Sequence, residues 1–71
     1  MKRRDLVRMI ADAARARAVS WAFVREGAEH EIWSLGGRAF SIPRHRELRE
    51  QTARSILKAT EKELGERWWE P

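Results

Sequence analysis

The chain has 71 residues, which is enough for one small domain and excludes a second, because chains this short bury only about 60% of their unfolded surface. The absence of cysteine excludes a disulfide framework and a thiolate metal site, so packing must stabilise the fold. With 42% hydrophobic and 37% charged residues, the composition excludes an obligately disordered chain and a membrane protein.

The charge balance favours a polyanionic partner. Fifteen Lys and Arg against eleven Asp and Glu give a net charge of +4, and most of the cations are arginine, which suits bidentate phosphate contacts. An arginine-rich solvated surface would give the same composition, so charge alone does not decide. The start of the chain lacks an apolar signal segment, and no apolar run approaches the roughly 18 residues of a membrane span, which predicts a cytoplasmic protein without membrane contact.

The first predicted element is an amphipathic helix from Arg4 to about Ala16. Its apolar residues recur with helical spacing and form one stripe, and most of its arginines lie outside that stripe. The stripe consists of Leu6, Val7, Ile10, Ala13 and Ala14.

Three strands should follow this helix. Val19 to Val24 is rich in β-branched and aromatic residues, Gly27 marks a turn, and Glu29 to Leu35 has the composition of a second strand. Gly36-Gly37 predicts a hairpin turn before a third strand, Arg38 to Ile42. Pro43 should end that strand because proline has no amide proton for the ladder.

The register of this hairpin has two alternatives. A two-residue Gly36-Gly37 turn pairs Trp33 with Phe40, whereas a longer loop with a glycine bulge places Ile32 beside Phe40. Since strand side chains alternate between faces, the second arrangement would reverse the face on which His30 projects.

A second helix is predicted from Arg49 to Leu64, with Gly65 at its C-terminal cap. The residues with helical spacing are Ala53, Ile56, Leu57, Thr60 and Leu64. The predicted class is therefore α+β: a helix, a three-stranded antiparallel sheet and a helix, with both helices on one face of the sheet.

Aromatic residues complete the predicted packing. Trp21, Trp33 and Phe40 should be core or near-core strand residues. The Trp68-Trp69 pair lies in a short tail, residues 66–71, and should fold back over a sheet edge or meet a partner chain in preference to stacking on bases.

Few side chains in this sequence can transfer protons near neutral pH. His30 and His45 are the only histidines, and cysteine and tyrosine are absent. No His and carboxylate pair has the helical spacing of zinc enzymes, and no serine has a nucleophile elbow or triad partners, so we expect neither a metal site nor acyl transfer. Taken alone, a strand histidine such as His30 is more often structural than catalytic, and His45 has the setting of a solvated loop residue.

Three blocks resemble the signature of the HicA family of toxin endoribonucleases. They are Gly27-Ala28-Glu29-His30, the strand Phe40-Ser41-Ile42-Pro43 followed by Arg44-His45, and Thr52-Ala53-Arg54-Ser55-Ile56-Leu57-Lys58 in the second helix. The order and spacing match, and the resemblance covers about residues 4–65 of a single domain, 1–71.

The resemblance implies a double-stranded-RNA-binding-like fold and cleavage of messenger RNA in a toxin-antitoxin pair. It places the catalytic histidine at His30 and implies a HicB-type antitoxin as partner, with no metal and no cofactor. RNA supplies its own nucleophile, the 2′-hydroxyl, so one histidine and several arginines form a minimal set of catalytic groups. The candidate phosphate-binding residues are Arg38, Arg44, His45 and Arg46.

Two alternatives remain at the level of sequence. Ala28 replaces the serine of the family pattern, and Glu29 and Glu31 add negative charge beside His30. These features fit a module that binds RNA or an antitoxin without cleavage. The helices and the tryptophan pair would also suit a surface whose main partner is a protein.

Overall fold

The computed structural model describes all 71 residues as one antiparallel sheet with three helices. The elements are α1 (Arg3–Ala16), β1 (Trp21–Glu26), β2 (His30–Leu35), β3 (Arg38–Pro43), α2 (Glu50–Ala59) and α3 (Glu61–Leu64). The strands follow in the order β1-β2-β3. The predicted α+β class and the helix, sheet, helix order are confirmed.

The helices cover one face of the sheet. Leu35 and Ile42 are fully buried on that face, where they join the apolar stripes of the helices in one cluster. The helical members of this cluster are Leu6, Ile10, Ala13, Ala14, Ala53, Ile56, Leu57 and Leu64. None of these helices is both long and apolar enough to cross a membrane.

Aromatic side chains extend the core along the same face. The rings of Trp21 and Trp33 stack with their centroids 4.5 Å apart, and the ring of Phe40 lies 5.8 Å from that of Trp21. All three pack against the buried cluster while staying partly exposed. Their predicted near-core position is confirmed.

The β2–β3 hairpin has the shorter of the two possible turns. Trp33 pairs with Phe40, and the two-residue turn takes positive φ at both Gly36 (59°) and Gly37 (87°). This is the backbone of a type I′ turn, whose twist matches that of the strands it joins. The bulged alternative, with Ile32 beside Phe40, is wrong.

The first strand begins later than its composition predicts. Ala18 has a φ of 56°, and the amides of Ala18 and Val19 donate to the carbonyls of Arg15 (3.2 Å) and Ala14 (2.8 Å). This pair of hydrogen bonds caps α1, so the Val19 amide is not available to a ladder. The predicted strand, Val19 to Val24, is wrong at both ends, because β1 starts at Trp21 and continues to Glu26.

The other boundaries differ by one residue. α1 begins at Arg3, β2 begins at His30, and β3 includes Pro43 as its last residue. Pro43 pairs with His30 and accepts a hydrogen bond at its carbonyl from Arg3 Nε (3.0 Å), neither of which needs an amide proton.

The predicted second helix, Arg49 to Leu64, breaks at Thr60 into α2 and α3. Thr60 is fully buried, and its hydroxyl donates to the Leu57 carbonyl (2.6 Å) and accepts from Trp68 Nε1 (2.8 Å). The tail therefore folds back as expected, but onto the helices: Trp68 and Trp69 both pack against the core cluster.

Candidate active site

His30 lies at the open end of the β2–β3 hairpin, opposite the Gly36-Gly37 turn. The Gly27 amide donates to the His30 carbonyl at 2.6 Å and so closes the β1–β2 connection. A Cβ at position 27 would lie 2.8 Å from that carbonyl oxygen, closer than packed atoms approach. Glycine is therefore required there to set the position of the His30 backbone.

Arg44 also holds the β1–β2 connection in place. Its guanidinium pairs with the Glu26 carboxylate (Nη1 to Oε1, 2.5 Å) and donates from Nη2 to the carbonyls of Gly27 (3.0 Å) and Ala28 (2.5 Å). Its backbone amide donates to the Glu29 carbonyl at 3.3 Å. Three acceptors occupy this guanidinium, so Arg44 positions the loop before His30 rather than offering a free phosphate-binding group.

The two histidines line one cavity of about 460 Å³, called the histidine cavity below. Both side chains belong to exposed residues, and the walls between them are mostly polar. The remaining lining residues are Pro43, Glu47, Leu48, Arg49 and Thr52. The lining of this cavity includes two histidines and Arg49, residue types that can transfer protons and bind an anion.

A short backbone pairing with the N-terminal residues fixes the segment that carries His45. The Arg3 amide donates to the Arg46 carbonyl (3.0 Å), the Leu48 amide donates to the Met1 carbonyl (2.8 Å), and Lys2 forms a bridge with Glu47. These contacts hold the segment after β3 against the start of α1. No local pattern in the sequence predicts them, because they join residues more than 40 positions apart.

Glu31 does not contribute its charge to the histidine cavity. Its carboxylate pairs with the Arg3 guanidinium and accepts a hydrogen bond from Trp33 Nε1 (3.1 Å). Since side chains alternate along a strand, Glu31 belongs to the helix-covered face and His30 to the other. Of the two glutamates next to His30 in sequence, Glu31 is therefore paired within the protein, whereas Glu29 is exposed.

Arg38 is not brought to this site. It begins β3, five residues and about 16 Å from the Pro43 end. It donates to both Glu63 carboxylate oxygens (2.8 and 3.0 Å) and to the Ala59 carbonyl. The hydrogen bond from Arg38 lowers the pKa of Glu63, and the same contact raises the pKa of Arg38. The arginine thus joins the sheet to α3.

Arg46 lies on a second concavity next to the first. This cationic pocket has a volume of about 280 Å³, and its lining consists of Lys2, Arg3, Arg4, Arg44 and Arg46. The sequence analysis missed Lys2, Arg3, Arg4 and, in the histidine cavity, Arg49. The only sequence signal for the first three is the basic start of the chain.

Comparisons with known proteins add no relative. No family model matches the sequence, and no curated protein and no solved structure matches it significantly. No three His, Asp or Glu side chains lie close enough together to hold a metal ion. Functional inference therefore rests on the residues of the site and on the family resemblance of the three blocks.

Proposed function

We propose that the protein is a HicA-like toxin endoribonuclease that cleaves messenger RNA at the histidine cavity. The observation that carries the proposal is that His30 and His45, the only histidines of the chain, line the same open cavity. Two imidazoles can serve RNA cleavage, since one proton must be removed and another supplied.

The reaction would be a transfer within the RNA itself. A neutral imidazole accepts the proton of the 2′-hydroxyl, and the 2′-oxygen forms a bond to the adjacent phosphorus. The bond from phosphorus to the 5′-oxygen breaks, and that oxygen takes a proton from the other, charged imidazole. The products are a 2′,3′-cyclic phosphate and a 5′-hydroxyl end. Arg49, which lines the same cavity, would stabilise the negative charge of the phosphate oxygens.

The scaffold around the cavity supports this use of the histidines. Gly27 and Arg44 hold the chain on one side of His30, and the pairing of Arg46 with Arg3 holds the segment of His45. Side chains held by rigid neighbours keep the geometry that a proton transfer requires.

A HicB-type antitoxin is the proposed protein partner. The cavity is open to solvent and lies next to a cluster of cations, so an acidic partner surface would both cover His30 and neutralise the pocket beside it. Titration of the protein with an antitoxin encoded beside its gene should abolish RNA cleavage at a one-to-one ratio.

The chemistry is tested by the ends of the products. Incubation of a single-stranded RNA with the protein in excess chelator should give cyclic phosphate and 5′-hydroxyl ends. His45→Ala should cleave at least 100-fold more slowly. If His45 supplies the proton to the leaving group, a substrate whose 5′-oxygen is replaced by sulfur, which leaves without a proton, should restore the rate of that variant.

The other outcomes identify the alternatives. Products with 5′-phosphate ends would contradict the proposed reaction, because they require water as the nucleophile. Salt-sensitive RNA binding without any cleavage would favour the non-catalytic module, which Ala28 already suggests by removing a hydroxyl from the loop before His30.

A further inference from the structure

The cationic pocket differs from the histidine cavity in having only cations in its wall. Five of the fifteen Lys and Arg residues of the chain line it, and it has no apolar and no acidic lining residue. Asp5 lies in the first turn of α1 but is not part of the wall. Such a concentration of one sign of charge raises the local potential and attracts anions.

Only part of this charge is neutralised within the protein. Arg3 pairs with Glu31, and Arg44 pairs with Glu26, so these two residues shape the wall. Lys2, Arg4 and Arg46 are exposed and form no ion pair. Three free cations around one small concavity repel each other, and a bound anion would relieve that repulsion.

The position of the pocket relates it to the histidine cavity. The segment from Pro43 to Glu47 separates the two concavities, and its residues alternate between them. Pro43, His45 and Glu47 line the histidine cavity, whereas Arg44 and Arg46 line the cationic pocket. A linear polyanion that lies across this segment would therefore place successive charges in the two concavities.

We infer that the cationic pocket is a second phosphate-binding site, in which Lys2, Arg4 and Arg46 hold a backbone phosphate of the same RNA strand beyond the one that is cleaved. The inference rests on the proposed function for the identity of the strand. It predicts that the protein binds RNA of several nucleotides better than it binds a single phosphodiester unit.

The test measures binding by the His30→Ala protein, which leaves RNA intact. The pocket variant carries Arg4→Gln and Arg46→Gln in addition. The matched control carries Arg15→Gln and Lys62→Gln, which remove the same charge from exposed positions that line neither concavity. The probes are a single-stranded RNA hexanucleotide and a dinucleoside monophosphate that competes for the same protein.

The pocket variant should bind the hexanucleotide about tenfold more weakly and bind the dinucleoside monophosphate within twofold of the parent. The slope of log affinity against log salt for the hexanucleotide should fall by about 0.7, the value of one phosphate contact on a single strand. In the control, the hexanucleotide affinity and the salt slope should each change by less than half as much as in the pocket variant.

Two results would overturn the inference. Equal weakening in the pocket variant and the control would mean that only net charge matters. Equal weakening for both probes would mean that the pocket holds no additional phosphate. Binding is measured on the His30→Ala background and cleavage on the protein with His30 intact, so the two proposals can fail separately. Selective loss of hexanucleotide binding together with no cleavage by the His30 protein would uphold the site and reject the nuclease. Unchanged binding in the pocket variant together with cleavage by the His30 protein would overturn the site and uphold the nuclease.

Discussion

The β2–β3 hairpin has an arginine near each end, Arg38 beside the glycine turn and Arg44 just beyond the end that carries His30. Both pair with a carboxylate from another element. Arg38 pairs with Glu63 and so joins the sheet to α3. Arg44 pairs with Glu26, holds the exposed loop before His30 and lines the cationic pocket. The same residue type therefore stabilises the fold at one end and positions the candidate site at the other.

This contrast shows how a chain of 71 residues can combine a stable core with an exposed candidate site. Leu35, next to the turn, is fully buried, while His30, at the other end of the same strand, is exposed. Core side chains lie at both ends of the hairpin on the helix-covered face, since Ile42 near the open end is fully buried too. The division along β2 is between Leu35, which packs in this core, and His30, which no packing requirement fixes.

The largest expected effect is the contrast between the two ends of β2. Leu35→Ala should lower the free energy of unfolding by about 3 kcal/mol, because it removes buried methyl groups and leaves a cavity. His30→Ala should change it by less than about 0.5 kcal/mol, since the side chain is exposed. Urea denaturation of both variants measures the difference, and equal losses would reject this division along β2.

Gly27→Ala should disturb the backbone at the open end of the hairpin, where His30 lies, and leave the glycine-turn end unchanged. The added Cβ would push against the His30 carbonyl, so we expect about 2 kcal/mol of destabilisation and a fall in RNA cleavage larger than the unfolded fraction explains. Ala28→Ser, an exposed change in the same loop, is the control and should leave stability unaltered. Full activity in folded Gly27→Ala protein would contradict the role given to this turn.

Arg44→Gln should reduce RNA cleavage by about tenfold while lowering stability by no more than about 1 kcal/mol. The reason is that the loop before His30 loses its ion pair and two carbonyl contacts. Arg25→Gln removes a nearby exposed cation without an ion pair and should have little effect on the rate. If both variants slow cleavage equally, Arg44 acts through charge alone.

Arg38→Gln should lower stability by about 1 kcal/mol at neutral pH and leave cleavage by the folded protein unchanged. The pKa of Glu63 is lowered in the folded state by the hydrogen bond from Arg38. The ion pair therefore contributes its full stabilisation at pH values above the ordinary pKa of glutamate, and this stabilisation is lost as the pH falls through the lowered pKa of the folded state. The stability difference between parent and variant should therefore narrow in acid. A difference that stays constant from neutral pH to pH 2 would contradict the ion pair.

The smallest expected effect concerns the end of α1. Ala18 holds a left-handed backbone that glycine adopts without steric cost, so Ala18→Gly should raise the free energy of unfolding by about 0.5–1 kcal/mol. Ala16→Gly, at the last residue of α1, should lower it instead, because glycine is a poorer helix former than alanine. Thermal denaturation distinguishes the two signs, and a loss in Ala18→Gly would contradict the capping geometry.

Local patterns in the sequence predicted most of the fold. The apolar stripe of α1 and the Gly36-Gly37 turn depend on residues a few positions apart, and both were identified correctly. The break at Thr60 was not predicted, because Thr60 fits the helical spacing of the apolar residues and its contact with Trp68 in the tail leaves no sign in that spacing. The late start of β1 was missed because the Val19 amide caps the preceding helix.

The candidate site was less predictable than the fold. His30 was identified from the resemblance of its block, but its neighbours depend on long-range contacts. His45 reaches the same cavity through the pairing of Arg46 with Arg3, and Arg44 turns toward backbone carbonyls that no side-chain pattern indicates. Arg38 was a reasonable candidate by charge alone, but a carboxylate on α3 holds it at the other end of β3.

The most direct test of the proposed nuclease is cleavage of a long unstructured RNA by the purified protein in excess chelator, with His30→Ala assayed beside it. The parent should cut the RNA and the folded variant should not. Equal cleavage by both proteins would contradict the assignment of His30, and no cleavage by either folded protein would contradict the proposed nuclease.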